Sequence, residues 1–165
     1  MSLSTTLLIA IGAFLLVLRV IAKQTKGSVV TVRGLVVIPL ILLAVGLLGA
    51  RDALTTAGSR DLVLFAADLI LLLALGAARG ASVTVTERDG GAFQKGTKWT
   101  LVLWIATIGA RIAIMVADHA IGIDPALANA SFAVTLGVTL GAQNWMIFER
   151  TRRLGIPVAA SRSRG

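Results

Sequence analysis

The chain contains no cysteine and no tyrosine, and its single histidine is His119. Without cysteine there is no disulfide, no thiol redox chemistry by this chain and no thiolate-held metal or cluster. One histidine is too thin a donor set for a zinc or copper centre, so no metal and no other cofactor is expected. Charge is scarce as well. Charged residues make up 15% of the 165, against roughly a quarter in soluble domains. A charged start is also missing: the first six residues hold no Lys or Arg, and no Ala-x-Ala site precedes Lys23. The N-terminal apolar run therefore reads as a retained span and not as a cleaved signal peptide.

What the chain has in abundance is apolar sequence: 56% hydrophobic residues and a mean hydropathy of +0.89. Long apolar runs occupy 3–22, 35–50, 62–78, 100–120 and 126–148. The second run is short. At about 1.5 Å per residue its sixteen residues rise about 24 Å, less than the ~30 Å hydrocarbon core. Its helix is expected to start earlier, near Val29, giving a span over about 30–50 that contains Pro39, with Arg33 snorkelling to the headgroups. In lipid, only a helix satisfies its own backbone. The predicted fold class is an all-α membrane protein: one bundle over 1–150 with five transmembrane helices.

The sixteen Lys and Arg residues set the orientation. Arg19, Lys23, Lys26 and Arg33 flank the first gap, and Arg79, Arg88, Lys95 and Lys98 belong to the third. Arg150, Arg152, Arg153, Arg162 and Arg164 follow the last run. The alternate gaps hold only Arg51 and Arg60, and Arg111 lies inside the fourth run. Cytoplasmic loops collect such residues, so the N-terminus is expected outside and the C-terminus inside. Trp99 and Trp145 fall near the inner interface. The bias to Ala, Gly, Leu, Val and Arg resembles a GC-rich bacterial coding sequence, which implies a bacterial inner membrane. A net charge of +8 and a pI near 11.5 would suggest nucleic acid in a soluble protein. Here orientation explains the charge, and no nucleic-acid partner is expected.

Within the third gap, Ser82-Val83-Thr84-Val85-Thr86 alternates, Asp89-Gly90-Gly91 signals a turn and Ala92-Phe93-Gln94-Lys95 can return. A small cytoplasmic β-hairpin over 82–96 is predicted between spans three and four. The stretch 91–98 imitates a phosphate-binding loop, but its Lys follows the Thr and no parallel strand surrounds it, so that reading is rejected. Residues 151–165 read as a disordered basic tail.

Candidate chemistry lies on spans three and four. Asp61 and Asp68 are seven residues apart and share a helix face, as do Arg111 and Asp118. Counted from the outer ends of two antiparallel spans, Asp68 and Arg111 lie at matched depth, about 10 Å. An intramembrane ion pair between them is expected, either docking one helix on the other or serving a proton or substrate path. Asp61, Asp118, His119 and Asp124 form an outer polar cluster that interfacial solvation explains. Nothing assembles a nucleophile with a base: Ser131 and His119 have no positional relation. Span five is polar along its length (Asn129, Ser131, Thr135, Thr139, Gln143, Asn144), with small residues at Ala133, Gly137 and Gly141. That face suits packing inside the bundle, or a homo-oligomer or other membrane partner through Gly137 and Gly141. Arg150, Arg152 and Arg153 suit anionic lipid, although orientation already accounts for them.

The layout resembles CcdC, a family of small bacterial membrane proteins associated with cytochrome c biogenesis loci. The likeness rests on the Lys/Arg-rich first gap before a Pro-containing second span, the extended polar stretch from Ser82 to Asp89, and Arg111 in the fourth span. A fifth span running into Trp145-Met146-Ile147-Phe148-Glu149-Arg150 completes it. The resemblance implies a scaffold or accessory role and brings no catalytic residues with it. The leading expectation is a membrane accessory protein without catalysis of its own, linked to cytochrome c biogenesis or membrane-complex assembly. The alternatives are a small transporter or proton-coupled subunit using Asp68 and Arg111, and a membrane-embedded enzyme for a lipid or isoprenoid with Asp61, Asp68, Asp118 or His119 as acid.

Overall fold

The computed structural model describes residues 26–123 and 125–159. The span expected over 3–22 lies outside the described residues, as do Asp124 and 160–165. Among the described residues, four long helices dominate: α1 (Val32–Thr56), α2 (Ser59–Ser82), α3 (Lys98–Ala120) and α4 (Pro125–Arg153). The first three are each long and apolar enough to cross a membrane. At 25, 24 and 23 residues they run about 35–38 Å, more than the ~30 Å core demands. Caps set their starts. The Thr31 hydroxyl accepts the Gly34 amide at 3.2 Å, and Thr97 and Thr100 form a reciprocal capping box at the head of α3, each satisfying amides that the first turn leaves without a carbonyl.

A three-stranded antiparallel sheet closes one end of the bundle: β1 (Ser28–Val29), β2 (Thr84–Arg88) and β3 (Gly91–Lys95), in the order β1-β3-β2. Asp89 (φ 54) and Gly90 (φ 73) make the left-handed two-residue turn that matches strand twist in tight hairpins. The third strand, β1, was not anticipated. Val30, Val83, Val85, Ala92 and Ile147 pack beneath the sheet, joined by Leu35, Ile156 and Val158.

The disordered tail needs correction over 151–159. Helix α4 continues to Arg153 and ends at Gly155 (φ 67). The Gly155 amide returns to the Arg152 carbonyl at 3.2 Å and the Ile156 amide to that of Thr151 at 3.0 Å, a Schellman stop. The chain then runs beside the sheet: Ala92 donates to Pro157 at 2.9 Å, Ala159 to Val30 at 3.2 Å and Val32 to Ala159 at 3.1 Å.

Packing centres on α4, which lies against both α1 and α2, while α3 packs on α2. Glycines permit the close approach. A Cβ on Gly80 would stand 2.5 Å from the Gln143 carbonyl oxygen, and one on Gly137 would stand 2.9 Å from Leu43. Gly141 faces Pro39. At Gly137 and Gly141 the small-residue face of α4 thus meets α1 of the same chain.

Pro39 supplies a further lock between α1 and α4. A proline inside a helix leaves the carbonyl four residues back without its amide, here Leu35. The Asn144 side chain donates to that oxygen at 2.8 Å, and to the Gly34 carbonyl at 3.3 Å.

The distribution of side chains is inverted relative to a water-soluble bundle. Arg79, Thr100, Thr135, Thr139, Gln143 and Thr151 are buried, whereas Leu40, Ile41, Val45, Leu48, Val63, Ile70, Ile105, Met115 and Val116 are exposed.

Candidate functional site

The most unusual group in the bundle is Arg79, with 0% of its surface exposed. Charge counting assigned it to the loop after span three; it instead occupies the last turn of α2, which runs on to Ser82. Its side chain turns into the seam where α2, α3 and α4 meet. Nε donates to the side-chain amide oxygen Oε1 of Gln143, Nη1 reaches the Thr107 hydroxyl at 3.4 Å, and the guanidinium carbon stands 3.9 Å from the centroid of the Trp104 ring. Nη2 is buried with no hydrogen-bond partner among the described residues.

Among the described residues, no salt bridge reaches Arg79. Ion pairs among the described residues join Arg88 to Asp89 and Glu149 to Arg152 and Arg153. Amide and hydroxyl dipoles and an indole face therefore carry the charge, an arrangement suited to guanidinium, which is planar and more weakly hydrated than ammonium. The polar seam continues along α4. The Thr139 hydroxyl donates to Thr135 at 2.6 Å and reaches the Leu72 carbonyl at 3.3 Å. Below Arg79, Ser82 bonds the Arg79 carbonyl at 2.7 Å and pairs with Thr100 at 2.8 Å, tying α2 to the head of α3.

The expected intramembrane pair takes a different form. Asp68 and Arg111 lie within electrostatic range of each other and of Asp118, but no contact within 4 Å joins Asp68 to Arg111 among the described residues. Arg111 turns toward α4, where Nη2 reaches the Ala128 carbonyl at 3.4 Å and the guanidinium lies 5.2 Å from the Phe132 ring. The carboxylates do converge: Asp61, Asp68 and Asp118 line one cleft with Leu64, Phe65, Ile123 and Ala128. At about 10 Å³, it has room for about one water. His119 is exposed at the end of α3, and no metal-ligating group of three forms among the described residues. No family model, curated protein or solved structure matches the chain.

Sequence reasoning missed the Arg79 cluster, although a signal was present. Gly76 and Gly80 bracket Arg79 at the spacing of closely packed membrane helices, which marks 76–80 as helix interior and not as loop.

Proposed function

We propose that this chain is an integral membrane protein of a bacterial inner membrane, acting as a non-catalytic accessory or scaffold component of a membrane assembly. The observation that carries membrane residence is the inversion of the bundle, with apolar side chains outward and a hydroxyl, amide and guanidinium seam inward. Lipid tails solvate the first and cannot solvate the second. In this reading α1 to α4 and the apolar run over 3–22 make five spans. The sheet end, with Lys26, Arg33, Arg88, Lys95, Lys98 and Arg150 to Arg153, faces the cytoplasm. The CcdC-like layout links the assembly to cytochrome c biogenesis. The scaffold role draws on side chains spent on holding helices together: Asn144 on Leu35, Gln143 on Arg79 and Thr139 on Leu72. Extraction in mild detergent should recover the chain with a larger membrane complex; a monomer free of any partner would argue against the role.

A second reading, a small carrier or proton-coupled subunit, draws support from the convergence of Asp61, Asp68 and Asp118 near Arg111. Under it, Asp68→Asn should abolish transport without lowering protein abundance.

A further inference from the structure

At the sheet end, α2 and α4 flank an open cleft of about 490 Å³ lined by Ala81, Trp145, Met146, Glu149, Arg150, Arg152 and Arg153. This volume is within the ~300–1,000 Å³ typical of small-molecule sites. Its walls are organised. Glu149 holds Arg152 at 3.4 Å and Arg153 at 3.0 Å, and Arg150 is anchored on the Val83 carbonyl. Three arginines against one glutamate leave the lining with a net charge of +2.

We infer that this cleft binds the headgroup of an anionic phospholipid, with the acyl chains running up the outer face of α2. The inference rests on the membrane reading above. Charge complementarity selects an anion, and guanidinium groups present paired donors that match phosphate oxygens. The apolar part selects a lipid over a free anion. Ala81 and Met146 line the cleft, and the Trp145 ring beside it is 65% exposed, as aromatic side chains at headgroup level are. Ile70 and Val63 lie eleven and eighteen residues before Ala81, on the same face of α2 by helical spacing, and both are exposed. An apolar track thus leads from the cleft along the membrane-crossing helix. A free phosphate would use the arginines and leave that track unused.

The test is native mass spectrometry of the full chain in mild detergent, titrated with phosphatidylglycerol, phosphatidylcholine or glycerol phosphate. Phosphatidylglycerol should be retained, and the other two much more weakly. Removing two cleft charges with Arg152→Gln/Arg153→Gln should weaken phosphatidylglycerol roughly 30-fold, taking ~1 kcal/mol for each basic residue near an anionic lipid surface. Lys95→Gln/Lys98→Gln removes equal charge at the same end outside the cleft lining and should change binding less than twofold. Equal loss in both double variants, or glycerol phosphate binding as tightly as the lipid, would overturn the site. Whether the protein stays dispersed after detergent removal reports on membrane residence separately, so the two failures are distinguishable.

Discussion

Replacing Arg79 by methionine keeps most of the side-chain length and removes the charge. The variant forfeits the bond to Gln143, worth about 1.5–3 kcal/mol for a charged donor, together with a marginal contact to Thr107. It also forfeits the stacking on Trp104, about 2 kcal/mol when desolvated. Against that, a buried guanidinium without a carboxylate costs several kcal/mol, and its unpartnered Nη2 adds about 1–3 kcal/mol. The variant also leaves the buried Gln143 Oε1 without its donor, about 1–3 kcal/mol more on the unfavourable side. The two sides nearly cancel, so Arg79→Met should fall within about 2 kcal/mol of the parent protein. Arg79→Lys retains the burden and loses the planar fork, and should cost about 3 kcal/mol. Thermal unfolding of the full chain in one detergent, followed by circular dichroism, gives the order. Methionine within ~2 kcal/mol of the parent with lysine clearly below is expected. A methionine variant more than ~3 kcal/mol below the parent, with lysine near it, would refute the reasoning. A stable Arg79→Met protein that no longer supports its cellular role would mark the arginine as retained for function.

Other perturbations probe the packing. Asn144→Ala should cost about 1–3 kcal/mol, because the Leu35 carbonyl loses the donor that Pro39 cannot supply. Adding Pro39→Ala should recover much of that in a double-mutant cycle; purely additive effects would contradict the lock. Gly80→Val should destabilise by at least about 1–3 kcal/mol through collision with Gln143 and Met146, measured as a drop in Tm, whereas Gly109→Val meets open space and should cost well under half as much. Asp68→Asn and Arg111→Gln should couple by less than about 1 kcal/mol, since Arg111 turns to α4; stronger coupling would restore the direct pair. Truncation after Arg153 should speed hydrogen exchange at the Ala92 amide, whose acceptor is Pro157; an unchanged rate would show the 154–159 segment to be dispensable.

Most of the helical layout was legible because hydropathy reports directly on where a chain can meet lipid. The hairpin was legible because Asp89-Gly90 is chemistry for a left-handed turn. Arg79 was misplaced because counting charges treats an arginine beyond an apolar run as a loop residue. Only the knowledge that Gln143, Thr107 and Trp104 converge on it reveals a buried cation. Spacing placed Asp68 and Arg111 within electrostatic range of each other, but their rotation about the helix axes was not legible, and rotation decides contact. The ordered 154–159 segment had its own stop signal in Gly155 and Pro157. A basic composition masked it, and pairing with β3 depends on neighbours distant in sequence.

Because the chain lacks cysteine, single introduced thiols give a clean test of lipid as solvent and of which end faces inward. Glu87→Cys on the hairpin and Ser59→Cys at the far end of α2 are both at exposed positions. In intact cells, a membrane-impermeant maleimide should label Ser59→Cys readily and Glu87→Cys only after permeabilisation. Labelling of both sites from outside, or of Glu87→Cys alone, would contradict the orientation and the membrane-embedded bundle on which it depends.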